Sequence, residues 1–232
     1  MRKFLVFLLI LVIGVVIAAD RLGVRFAEDE IGRQVAAQYN LERQPDVKIH
    51  GFPFLTQALG GEYDRIDVAI GDWTEKGVTV GDVTVEMRGL TAPLGDVISG
   101  STAGIVARTA SASAVIPYEV IEKRAPKEVK DIRPKGDDLQ VDLSGAVLGF
   151  PLSGTAVVSV KPTGKGIAIT PVSVGSGAGQ IPLALVQRQL TWTVPVADLP
   201  IGSRITGIRP TPEGLRVTAT ADNVRLDNLK NA

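Results

Sequence analysis

Residues 4–19 are apolar or glycine without interruption, preceded by Arg2 and Lys3 and followed by Asp20 and Arg21. A charged start before an apolar core is the pattern of a secretory leader, although sixteen residues fall short of the roughly twenty that a bilayer span takes. Residues 1–19 are therefore expected to act as a signal peptide, cut after Ala18 or Ala19, or as a retained signal anchor. The single folded domain is expected over 20–232. Next, Leu22, Phe26, Ala27, Ile31, Val35 and Tyr39 follow helical steps, with Glu28, Asp29, Arg33 and Gln38 between them. This predicts an amphipathic helix over 22–39, packed on a sheet and ended by Asn40 and Pro45.

From there the period falls to two. Val47 and Ile49 alternate with Lys48 and His50, and Ile66, Val68 and Ile70 alternate with Asp67 and Ala69. Gly51-Phe52-Pro53-Phe54 between them predicts a bend, with Phe52 and Phe54 on one side if the chain stays extended, and Gly60-Gly61 a reversal. Three hairpins are expected where loops end in glycine: at Gly77 before Val78, at Gly166 before Ile167 and at Gly214 before Leu215. Val83, Val85 and Met87 predict another strand, as do Val141 with Leu143, Ala156 with Val158 and Val160, and Val224 with Leu226. The sheet is expected to be mainly antiparallel. Two short helices, starting at Ile116-Pro117 and Ile181-Pro182, each carry a proline at the first helical position and a cation near the end. Gly51-Phe52-Pro53 also recurs as Gly149-Phe150-Pro151, so two loosely repeated halves are read. Residues 99–114 and 175–179 read as small-residue loops. Residues 125–138, with Pro126, Pro134 and Gly136, read as a charged connector and the expected half-unit boundary.

Gly51-Phe52-Pro53-Phe54-Leu55-Thr56-Gln57, the Gly-x-Tyr of Gly61 and Tyr63, Leu199-Pro200 with Gly202, and Gly214-Leu215 with Val217 together resemble the LmeA-like family of actinobacteria, exported phospholipid-binding proteins. The resemblance runs from about residue 26 to residue 226. It implies an α+β, tubular lipid-binding (TULIP-like) fold, in which a curved, mainly antiparallel β-sheet wraps a long helix around an apolar tunnel. It also implies phospholipid and a membrane surface as partners, and a role in envelope lipid or lipoglycan assembly.

Composition agrees with a non-catalytic reading. The 232 residues are 45% hydrophobic and carry 25 Lys+Arg against 25 Asp+Glu, which selects no nucleic-acid partner. Zero cysteines exclude thiolate chemistry and disulfides, and the single histidine, His50, excludes a His-clustered metal site. His50 has no Gly-x-Ser-x-Gly elbow to serve and reads as a solvated strand residue. The acidic runs Glu28-Asp29-Glu30 and Asp137-Asp138 read as solvated surface, and Gly175-Ser176-Gly177-Ala178-Gly179 lacks the residues of a phosphate loop. Trp73 and Trp192 sit in strand-like context. No cofactor, metal or catalytic residue is expected.

Three classes of function remain: a module that holds acyl chains, an envelope enzyme using Asp or Glu, and an assembly partner docking through a sheet edge or apolar patch. The first is preferred. Its candidate lipid-binding residues are Phe52, Phe54, Ile66, Val68, Val120, Leu185 and Trp192, each on an apolar face near a bend or helix.

Overall fold

The computed structural model describes residues 2–75, 77–93, 95–96, 102, 104–147, 150–164, 166–175, 183–196 and 202–227. It is an α+β structure with a long N-terminal helix and curled antiparallel sheets, consistent with a TULIP-like fold. The N-terminal apolar run and the amphipathic stretch form one helix, α1, Arg2–Gln38. No glycine pair or proline interrupts 2–38, so the chain has no reason to break there. Asn40, at φ +49, lies just past its end.

The strands are β1 (Asp46–His50), β2 (Glu62–Glu75), β3 (Val78–Thr91), β4 (Val106–Ile116), β5 (Val129–Lys135), β6 (Asp138–Val147), β7 (Phe150–Thr163), β8 (Gly166–Val174), β9 (Trp192–Val194), β10 (Arg204–Thr211) and β11 (Gly214–Arg225). Three further helices are α2 (Phe54–Gly60), α3 (Tyr118–Glu122) and α4 (Leu183–Leu190). One sheet has the order β1-β2-β3-β4-β11-β10 and the other β5-β6-β7-β8-β9. The hairpins close as their glycines predict, with Thr163 opposite Gly166 and Thr211 opposite Gly214; in both, the threonine hydroxyl donates to the glycine carbonyl at 2.9 Å. Gly71 in β2, Gly89 in β3 and Asn223 in β11 have φ of +80°, +57° and +53° inside strands. On β3 the apolar inner positions switch from Val83, Val85 and Met87 to Leu90, with Ala92 just past its end, across Gly89, the phase slip of one inserted residue. Such bulges bend a strand and sharpen its twist, which is how a sheet curls.

Contacts divide the chain into two compact units, one built from residues up to Gly71, Thr84–Ser111 and the chain from Ala221, the other from Asp72–Val83 and Ala112–Thr220. In the first, Val47, Ile49, Ile66 and Val68 stand opposite one another across β1 and β2 and are all buried with Val24, Phe54, Tyr63, Leu90 and Ala107. In the second, Ile121 of α3 and Leu190 of α4 are buried with Leu139, Val141, Val158, Ile167, Ile169 and Leu215. The Tyr118 hydroxyl donates to Thr211 O at 2.7 Å, and burial pushes its pKa up.

Several sequence expectations change. The run 99–114 is not all loop, because β4 starts at Val106; its alternation is carried by small residues, Ala107, Thr109, Ser111 and Ser113, which a search for large apolar residues passes over. The connector 125–138 contains β5, at the edge of its sheet, where Pro134 deprives no partner of a ladder bond. Pro117 is the N-cap of α3, not its first helical residue. Pro182, Gly149 and residues 176–179 lie outside the described residues.

Candidate functional site

The stretch around Pro53 folds differently from an extended clamp. Pro53 (φ −75°, ψ 143°) is the N-cap of α2, and Gly61 at φ +66° is its left-handed C-cap, bonded to Gln57 O. Starting a helix at Phe54 rotates that ring into the core, 7% exposed, while Phe52 is left 58% exposed. The two aromatics therefore diverge. Phe54 meets Tyr63 with ring centroids 6.4 Å apart. Phe52 carries the Arg21 guanidinium 5.0 Å above its ring, a cation–π contact.

Helix α1 is fastened to this corner by side chains that satisfy backbone donors. Asp20 is 1% exposed, and its Oδ1 accepts from Leu55 N in the first turn of α2 at 2.8 Å, supplying the cap that Pro53 lacks. Two turns on, Glu28 Oε1 accepts from Ile49 N at 2.9 Å, closing an otherwise open donor on the edge strand β1. Gln44 Nε2 donates to Asp29 O and Oδ1. Between these, Gly23 lies against Phe54 and Leu55, and Gly32 lies so close to Gln44 and Pro45 that a Cβ would stand 3.0 Å from Pro45 O. The docked stripe is Asp20, Val24, Ala27 and Ile31, at steps of four, three and four. Leu22, Phe26 and Tyr39, which the sequence pattern put on the packed face, are 68%, 70% and 43% exposed. Ala27 and Ile31 of the expected stripe do pack, but a close-packed helix face takes small residues, so ranking positions by size wrongly added the large ones. A cleft of about 210 Å³ beside this seam is lined by Arg25, Glu28, Asp29, Asp46 and Lys48 among others, too charged to hold an acyl chain.

His50 is not free in solvent. Its Nε2 lies 2.7 Å from Asp67 Oδ2, and Arg65 NH2 lies 3.1 Å from Nδ1 and 3.0 Å from Nε2. Arg65 also reaches Glu86, which pairs with Arg88 at 2.6 Å. This is an ionic ladder across β1, β2 and β3, with both ring nitrogens engaged. No group of three or more His, Asp or Glu among the described residues is placed to hold a metal.

The other candidates fall as follows. Ile66 and Val68 join Phe54 in the core of the first unit, and beside them Ile70, Val85, Met87 and Ala110 are only partly buried, leaving an apolar sheet face incompletely covered. In the second unit Val120 is half-buried on α3, and Trp192 on β9 is 8% exposed with no hydrogen-bond partner for Nε1. Leu185 is on α4, and its side chain lies outside what the structure describes. Val160, Val174, Ile205 and Ile208 are partly buried against this second core. Each unit thus offers half-covered aliphatic side chains on an antiparallel sheet, a surface suited to hydrocarbon.

A family model described as LmeA-like phospholipid-binding matches residues 18–220. The chain belongs to that family. No curated protein and no solved structure gives a match. Phospholipid binding is the property by which the LmeA-like family is described. The match begins inside α1, two residues before Asp20, takes in α2 and covers parts of both units. Sequence reasoning missed α2, with its exposed Leu55 and Leu59, and the capping role of Asp20. The only trace was an acid just after an apolar run, which reads as a polar boundary until its distant partner is known.

Proposed function

We propose that this LmeA-like protein is exported, stays at the envelope membrane through α1, and holds phospholipid acyl chains in an apolar tunnel in support of envelope lipid or lipoglycan assembly, without catalysis. The observation that carries the reading is the family match over 18–220. The helix adds support for the anchor. Residues 4–17 are exposed apolar or glycine positions on a helix long and apolar enough to cross a membrane, and the helix continues unbroken through the expected cleavage positions at Ala18 and Ala19. The candidate lipid-facing residues are taken within each unit separately: Phe54, Ile66 and Val68 in one, and Val120, Leu185 and Trp192 in the other. The orphan Trp192 N–H supports a polar contact at such a surface, because a lipid ester or phosphate oxygen can satisfy a donor that the protein leaves unmatched. Each methylene kept out of water is worth about 0.8 kcal/mol, so a sixteen-carbon chain stakes on the order of 12 kcal/mol on staying dry, and only a sealed apolar site can match the bilayer it leaves.

The test is direct. The full chain is mixed with liposomes of zwitterionic and anionic phospholipid, recovered, extracted with organic solvent, and its lipids identified and counted by mass spectrometry. Near-stoichiometric phospholipid is expected, reduced by Val120→Trp or Leu185→Trp in protein of unchanged circular dichroism. Wild-type protein with no more lipid than an unrelated control of similar size overturns the reading.

A further inference from the structure

The apolar run 4–19 spans about 24 Å at 1.5 Å per residue, about 6 Å less than a bilayer's hydrocarbon core of roughly 30 Å. If α1 is the anchor, the membrane boundary must reach the turn that follows, which opens with Asp20 and Arg21. A bare carboxylate and guanidinium there would be costly. Here each has a partner, although only one of the two Asp20 oxygens is bonded and Oδ2 is buried without a hydrogen bond. Asp20 is buried, with Oδ1 bonded to Leu55 N, and Arg21 lies over Phe52. The same two contacts bring α2 to the level of Asp20. At that joint Phe52, Leu55 and Leu59 are 58%, 37% and 79% exposed, and Leu22 and Phe26, on the undocked side of α1, are exposed within two turns of Asp20. Phe26 stands six residues, about 9 Å, beyond Asp20, within the interfacial layer.

Resting on the anchor proposed above, we infer that α2 and the Phe52 bend form a membrane foot. Phe52, Leu55 and Leu59 insert at the boundary between headgroups and acyl chains, extending the apolar surface past the end of the run 4–19, while the Asp20 cap and the Arg21–Phe52 stack lower the cost of both charged residues at that depth. The occupant is the bilayer itself. The surface is continuous with the apolar part of α1, and an aromatic ring paired with an arginine belongs at such an interface. The bound first unit is thereby held against the leaflet from which lipid would be taken up.

Zero cysteines make the test clean. Single cysteines replace Val12, Phe52, Leu59 and Gln38 in the full chain, each exposed and so tolerant of a small label. Gln38 is eighteen residues, about 27 Å, beyond Asp20 on the same helix and serves as the aqueous reference. An environment-sensitive fluorophore at each site is quenched in turn by iodide and by spin-labelled phosphatidylcholine, in vesicles of phosphatidylcholine and phosphatidylglycerol. Expected is lipid quenching and severalfold protection from iodide at 12, 52 and 59, and the reverse at 38. Lipid quenching at 12 with full iodide access at 52 and 59 overturns the foot and leaves the anchor standing. Iodide access at 12 as well overturns the anchor, and the foot with it.

Discussion

Phe52 and Phe54 are two residues apart, identical in chemistry, and opposite in fate. Phe54 is inside the first core against Tyr63 and the face of α1 at Gly23, so Phe54→Ala removes a filled volume and is expected to cost about 3 to 5 kcal/mol. Phe52→Ala gives up a surface ring and one exposed cation–π contact, at about 0.5 to 1 kcal/mol. Urea unfolding of the two variants reads the difference as a midpoint shift at constant slope. Comparable losses for both would mean that the two rings share one core, as an extended chain would have placed them. The sequence identified the stretch but not the divergence, because which way Phe54 points depends on whether Pro53 ends a strand or caps a helix. The cap is supplied by Asp20, thirty-five residues away in the chain.

Among the elements, α1 depends least on its own hydrophobic pattern. Its docked half is held by Asp20, Glu28 and Asp29 through bonds to Leu55 N, Ile49 N and Gln44, and by the close approach at Gly32. Valine at 32 would force its branched side chain against Pro45 O and Gln44, where even a bare Cβ has 3.0 Å or less. Gly32→Val is therefore expected to destabilise by about 1 to 3 kcal/mol despite valine's better helix propensity. Hydrogen exchange should quicken at Ile49, whose amide loses its seal when Glu28 moves away. Unchanged protection at Ile49 would show that the helix does not seal that edge. β4 and β5 make the same point for strands. Each was hidden in sequence, one by small residues and one by charge and Pro134, and each forms because a neighbouring strand supplies the ladder.

At the scale of the molecule, each unit has a separate buried cluster, with partly covered aliphatic side chains beside it. A ligand that covers those faces binds only the folded chain and must raise its stability by mass action, by about 2.7 kcal/mol at a hundredfold excess over Kd. For a chain of this size that is a rise in Tm of roughly 5 to 11 °C. Protein stripped of lipid by organic extraction and refolded should melt lower than protein as purified, and added phospholipid should restore the midpoint. A melting temperature indifferent to phospholipid would argue against a sheltered acyl site.

The apolar N-terminal run, the antiparallel hairpins ending in Gly166 and Gly214, the absence of thiol chemistry and the LmeA-like character of 51–57 were all determined locally, by residue types a few positions apart, and sequence by itself was enough for them. Tertiary structure decided which face of α1 is buried, where Phe52 and Phe54 point, that small-residue and charged segments become β4 and β5, and that Asp20 caps α2. Each of these turns on a partner distant in the chain. Burial and hydrogen-bond satisfaction are properties of such pairs, and a linear pattern lists their members without saying which of them meet.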